Sequence, residues 1–193
     1  CCQRPATQSS QPRTPVHVPP PKQTSEPRAQ ASGPSNNCLD YSIHTLNLTP
    51  DPIQSKILAS TSRQIILNCA RQWGKSTVAA AIGAYTLATA KPGSQILIVA
   101  PCKRQSGELL RRVRSLLEIA GHKTKGDGIN DLSIELVNGS RGIALPGTEA
   151  TTRCFTDVAL LIVDEAARVQ DDTYKSVRAF IVASRGRLLI LST

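Results

Sequence analysis

The 193-residue chain contains no methionine and begins with Cys1. It stops at Thr193, directly after the apolar stretch Arg187-Leu188-Leu189-Ile190-Leu191. A domain rarely ends on the last residue of a central strand, so we expect a fragment truncated at both ends. Residues 1–38 lack Leu, Ile, Phe, Tyr and Trp yet hold eight of the thirteen prolines. Such a segment cannot bury enough apolar surface to offset its ordering entropy. It is expected to be a disordered tail, and one that need not be native to the domain. No apolar central region follows its arginines, which excludes a signal peptide. No run approaches the roughly 20 apolar residues of a membrane span, so no membrane is expected. The six cysteines (1, 2, 38, 69, 102 and 154) include no C-x-x-C pair and no histidine at zinc-finger spacing, which argues against a structural zinc. What remains is one globular unit, residues 39–193.

One further absence lies inside a motif. Cys69-Ala70-Arg71-Gln72-Trp73-Gly74-Lys75-Ser76-Thr77 reads as a phosphate-binding loop, G-x-x-x-x-G-K-[S/T], with Cys69 in place of the first glycine. The chemical part is intact. Gly74 lets the backbone approach a phosphate, Lys75 reaches the β- and γ-phosphates, and the Ser76 hydroxyl can ligate Mg²⁺. The apolar stretch 63–68 predicts a buried strand before the loop, and Ala-rich 76–90 predicts a helix after it. Helix N-terminal amides then face the anion. Cys69, close to that N-terminus and to Lys75, is either a reactive thiol or a small residue filling a tight turn.

About ninety residues later, Asp157-Val158-Ala159-Leu160-Leu161-Ile162-Val163-Asp164-Glu165 predicts a buried parallel strand ending in two carboxylates. Ligands of open parallel sheets bind at the carboxyl ends of the strands. Asp164 is placed to hold Mg²⁺, and Glu165 to orient and deprotonate an attacking water. Together with the loop, this is the core of an ATPase that takes ATP and Mg²⁺.

Other segments fill in the order of elements. Ile96 to Pro101 predicts a second buried strand, with Cys102–Ser106 as a loop at its end. Residues 132–137 and 142–145 flank Asn138-Gly139, a hairpin signal. Strand, helix, strand, helix, hairpin, strand, helix, strand predicts an α/β fold: a mostly parallel sheet with helices on both faces. Upstream, Gln54 in Leu48-Thr49-Pro50-Asp51-Pro52-Ile53-Gln54 could present a donor and an acceptor to adenine, or simply enter a helix.

Charge is lopsided. The formal net charge is +9, and Arg4, Arg13, Lys22 and Arg28 against Glu26 place +3 of it in the tail. In the folded part, Arg104, Arg111, Arg112, Arg114, Lys123 and Lys125 form the clearest basic run. Leu109, Val113, Leu116, Leu117 and Ala120 recur at helical spacing, so the arginines are expected to face away from the core. Such a face either contacts nucleic-acid phosphates or is merely solvated.

From Leu48 to Thr193 the sequence resembles the large terminase subunits that package DNA into tailed-phage capsids. Six motifs carry the resemblance in order. They are the glutamine segment at 50–54, the glycine-poor loop with Arg71 and Gln72, and Pro101 to Ser106. The hairpin with Ala144-Leu145-Pro146-Gly147, the strand ending Val163-Asp164-Glu165-Ala166-Ala167, and Leu188 to Thr193 complete the set. The resemblance implies a P-loop NTPase fold of the RecA-like (ASCE) type and an ATP-driven motor for double-stranded DNA. The partners it implies are a portal ring, a small terminase subunit and further copies in a ring, in the cytoplasm of a bacterial host. It implies loop contacts to nucleotide from Cys69 through Thr77, Arg71 acting on the phosphates, and Arg153 acting on a neighbouring subunit's ATP. Leu191, Ser192 and Thr193 would couple hydrolysis to DNA movement. Cys154 stands where the family often has glycine after that arginine. A nuclease domain would lie past Thr193, so no nuclease activity is expected here.

Two rivals stand beside this reading. One is a nucleic-acid helicase or translocase with a D-E-A-x strand. Helicases usually keep the first loop glycine and need a second ATPase-like domain. The other is an inactive, prophage-derived fragment that binds nucleotide weakly. Intact Lys75, Asp164 and Glu165 argue against that decay.

Overall fold

The computed structural model describes residues 37–126, 132–147 and 155–193. The expected tail up to residue 36, together with Arg153 and Cys154, lies outside the described residues. Seven strands make one sheet: β1 (Gln64–Asn68), β2 (Gln95–Ala100), β3 (Thr124–Gly126), β4 (Ser133–Leu136), β5 (Arg141–Pro146), β6 (Val158–Val163) and β7 (Arg187–Ser192). Their spatial order is β1-β7-β6-β2-β5-β4-β3. The first five in that order pair in parallel, and β4 joins β5 and β3 antiparallel.

Continuous apolar strands predict burial on both sides, and the structure divides β2 and β6 between two cores. Ile96 and Ile98 of β2 and Leu160 and Ile162 of β6 point to one side. There they pack against α3 (Lys75–Thr89) and α4 (Lys103–Ile119). Leu97, Val99, Leu161 and Val163 point to the other and meet Val177 and Ile181 of α5 (Asp171–Ser184). Helices therefore cover both faces, as the element order predicted. This is the P-loop NTPase architecture.

α3 is the central helix. Its Ala79, Ala80, Ala81 and Ala84 are fully buried, and alanine combines high helix propensity with the small size that close packing needs. At Gly83 a Cβ would stand 3.2 Å from Val113 Cγ2 of α4 and 3.4 Å from Ile96 Cδ1 of β2. A larger residue there would force the two helices apart.

Four details depart from the sequence reading. β1, expected to be buried, lies at the edge of the sheet with Ile66 69% exposed. Cys38, assigned to the tail, begins α1 (Cys38–Asp40) and is buried, with Asn37 Oδ1 capping the amide of Asp40 at 2.8 Å. Burial pushes its thiol up to about 11. The segment 102–106, expected as a loop, enters α4 already at Lys103. β3 was not anticipated, because its three mostly exposed residues carry no apolar pattern. Among the described residues no helix is long and apolar enough to cross a membrane.

Candidate active site

The site forms where β1, β6, β7 and β2 end. The amide of Cys69 donates to the carbonyl of Ser192 at 3.3 Å, tying the start of the phosphate loop to the end of β7. The loop then passes through two left-handed residues, Gln72 (φ 64°) and Gly74 (φ 93°). A Cβ at Gly74 would lie 2.8 Å from Gln54 Nε2. The positive φ favours glycine there, and a larger residue would also push the Gln54 amide aside.

Gln54 itself belongs to α2 (Pro52–Leu58). Asp51 Oδ1 accepts the amides of Ile53 and Gln54, both at 2.8 Å, and Gln54 Oε1 accepts the Asp51 amide at 3.2 Å. This is a complete capping box. Its Nε2 donates to the Trp73 carbonyl at 2.9 Å. The glutamine thus enters the helix, as one of the two sequence readings had it, and also tethers the phosphate loop, which the sequence did not reveal.

Lys75 opens α3 and is buried; its Nζ donates to the carbonyls of Cys69 at 2.7 Å and Ala70 at 3.1 Å. The ammonium lies within the curve of the loop. Ser76 follows on the first turn of α3. Arg71, Gln72 and Thr77 are exposed around the rim, whereas Trp73 packs partly against the core.

The acids follow β6. The Asp164 amide donates to the Val99 carbonyl at 2.8 Å, continuing the ladder onto β2. Burial holds the Asp164 carboxyl above the ordinary carboxylate range, and the amide of Glu165 and the charge of Lys75 partly offset this. Glu165 adopts the left-handed conformation (φ 48°, ψ 49°), turning the chain out of the strand. Its amide donates to Asp164 Oδ1 at 3.0 Å, and its Oε2 accepts the Thr193 hydroxyl at 2.6 Å. The segment expected to couple hydrolysis to movement therefore touches both halves of the site: Ser192 holds the loop and Thr193 holds Glu165. Leu191 is fully buried beneath them.

Two adjoining cavities lie over these groups. One, of about 340 Å³, is lined by Arg71, Gln72, Gly74, Lys75, Ser76, Thr77, Arg112, Glu165 and Thr193. The other, of about 190 Å³, is lined by Ser76, Gln105, Glu108, Leu109, Arg112 and Asp164. A serine hydroxyl and a half-buried carboxylate lining one cavity are an all-oxygen donor set, which suits Mg²⁺. Gln105, Glu108 and Arg112 were not singled out from the sequence as site residues. Their i, i+3, i+7 spacing marks one flank of α4, but only the packing of α4 beside α3 turns that flank toward the loop.

The family model described as DEAD/DEAH box helicase matches residues 51–192. The chain belongs to this family. The DEAD/DEAH box helicase match takes in the phosphate loop, the Asp164-Glu165-Ala166 strand end and β7. Among solved structures, the Thermus phage P74-26 large terminase ATPase domain is 25% identical, over 83% of this chain and 69% of that one, with a TM-score of 0.71. The large terminase of a thermophilic bacteriophage, in complex with ADP, is 14% identical over 81% of this chain and 38% of that one, with a TM-score of 0.56. The fold is thus that of large terminase ATPase domains. A curated relative, the tRNA(Met) cytidine acetyltransferase TmcA of Haloferax volcanii, is 33% identical over 110 residues, 57% of this chain. The match spans only 14% of that protein's length. Loop and fold together give this DEAD/DEAH box family member the P-loop NTPase architecture.

Proposed function

We propose that this domain hydrolyses ATP with Mg²⁺ to drive double-stranded DNA into a viral procapsid. The observation that carries the reading is the convergence of Lys75, Ser76, Asp164 and Glu165 on one cleft, in a fold shared with large terminase ATPase domains. The amides of residues 69–77 and Lys75 would hold the phosphates, and Ser76 and Asp164 would hold Mg²⁺. The metal, when bound, neutralises charge on the phosphate oxygens. Glu165 orients a water and takes its proton as the water attacks the terminal phosphorus and the bond to ADP breaks. Arg71, on the rim of the same cavity, adds a positive charge to the phosphates. Arg153 is assigned to a neighbouring subunit's ATP. Gln54 keeps the loop in shape through one Nε2 hydrogen and leaves the other for a purine edge.

Release of Thr193 from Glu165, and of Ser192 from the loop, gives a route by which the nucleotide state reaches β7. We assign the portal ring, a small terminase subunit and a homo-oligomeric ring as partners, in the bacterial cytoplasm. Arg104 and Arg111, exposed on α4, would meet DNA phosphates.

A second reading, a helicase or translocase, is favoured by the DEAD/DEAH box family match itself. The discriminating experiment measures ATP turnover with blunt duplex DNA and strand displacement on a tailed duplex. A packaging motor responds to the blunt duplex and displaces no strand. Displacement without duplex stimulation supports the helicase, and no turnover in a folded, nucleotide-binding chain supports the inactive fragment.

A further inference from the structure

The roles above leave one cation of the cleft without a task. Arg112 is exposed and makes no hydrogen bond or ion pair among the described residues. It nonetheless lines both cavities, a position that only Ser76 shares among the residues bordering them. Ser76 lies in the first turn of the helix that follows the phosphate loop, so Arg112 reaches the same junction from the neighbouring helix. On one side of that junction are Lys75, Glu165 and Thr193; on the other is Asp164.

Helical geometry separates this arginine from the rest of the basic run. Gln105, Glu108, Leu109 and Arg112 share one flank of α4, while Arg111 and Arg114 are turned about 100° and 160° away from Arg112. Arg114 is half-buried, and its Nη2 donates to the Ser133 carbonyl at 3.4 Å. Arg111 faces solvent. A run that reads as one basic face in sequence therefore splits into three environments, and only Arg112 borders the cleft.

We propose that Arg112 contacts the terminal phosphate of the bound nucleoside triphosphate from within the same subunit, making the site selective for triphosphate over diphosphate. The inference rests on the nucleotide reading of the cleft. Lys75 and the loop amides serve the phosphates that ATP and ADP share. An anion extending past Ser76, between Lys75 and the acid pair, is the part that ADP lacks. That anion would otherwise face Asp164, Glu165 and Glu108 with fewer cations to balance them. The planar guanidinium offers several donors to a phosphate, and such charge-assisted bonds are among the strong ones.

The test is titration of ATP-γ-S and of ADP, each with Mg²⁺, into the whole chain, Arg112→Ala, Arg112→Lys and Lys75→Ala. The proposal expects Arg112→Ala to lose about 10- to 100-fold in affinity for ATP-γ-S while its affinity for ADP stays within about twofold. Arg112→Lys should recover part of the loss, and Lys75→Ala should lose both nucleotides. Equal weakening of both nucleotides in Arg112→Ala, or no weakening of either, overturns the assignment and leaves the nucleotide site standing. Failure of the unaltered chain to bind either nucleotide overturns the site and the assignment together. Because Arg112 is exposed, circular dichroism and the thermal midpoint should not change in Arg112→Ala.

Discussion

α3 and α4 lie side by side on one face of the sheet, each starting at the end of a strand, yet they serve the cleft by different means. α3 is rich in small apolar residues, is buried along much of its length, and offers its N-terminus through a loop with two left-handed residues. α4 begins from an extended Cys102 with no side-chain cap, is strongly two-faced, and borders the cleft along one flank. Two strand-to-helix junctions in one sheet are thus not equivalent anion sites. The loop conformation and the buried lysine distinguish the first, and a flank of Gln105, Glu108 and Arg112 distinguishes the second.

Substitutions can break or sharpen this contrast. The largest effect is expected from Lys75→Ala at the N-terminus of α3. It removes the buried ammonium and leaves the carbonyls of Cys69 and Ala70 without their donor. Calorimetric titration should show nucleotide affinity reduced by at least about 100-fold. Retention of tight binding would mean that α3 does not form the phosphate site. Next comes the seam between the helices. Gly83→Leu should destabilise the fold by about 1–3 kcal/mol in urea unfolding, because Val113 and Ile96 leave no room at that position. An unchanged midpoint would show that α4 is not held against α3 as described. The smallest effect is expected at Gln54→Ala, which removes half of a capping box and the tether to Trp73. Stability should fall by about 1 kcal/mol. Nucleotide affinity should fall with it as the loop loosens, and a loss of stability alone would remove the tether from the account.

The same contrast explains what the sequence disclosed. The loop around Lys75 and the acid pair at Asp164 and Glu165 were legible because each is contiguous in sequence and follows an apolar strand. β1, β2, β6 and β7 came within a residue or two of their predicted spans for that reason, as did α3. The Asn138-Gly139 turn placed the hairpin of β4 and β5. Arg112 was visible only as one member of a basic run, since its direction depends on how α4 lies against α3. Gln54 showed its type but not its bond to Trp73, because that bond joins residues nineteen apart across the end of the sheet. Cys38 was grouped with a proline-rich stretch and lies in the core, a consequence of α1 packing that composition does not report. Thr193 was expected to couple hydrolysis to movement, and its hydroxyl meets Glu165 because β7 lies next to β6 in the sheet.

The central claim is that Glu165 activates water for a nucleotide held by the α3 loop. Its most direct test is steady-state ATP turnover by the whole chain and by Glu165→Gln, with ATP-γ-S affinity measured on both, in the presence and absence of double-stranded DNA. The account predicts turnover in the unaltered chain that DNA increases. In Glu165→Gln it predicts turnover lower by about 10²- to 10⁴-fold, with nucleotide affinity preserved. Turnover in Glu165→Gln equal to that of the unaltered chain would contradict it, since the carboxylate beside Thr193 would then have no part in the reaction.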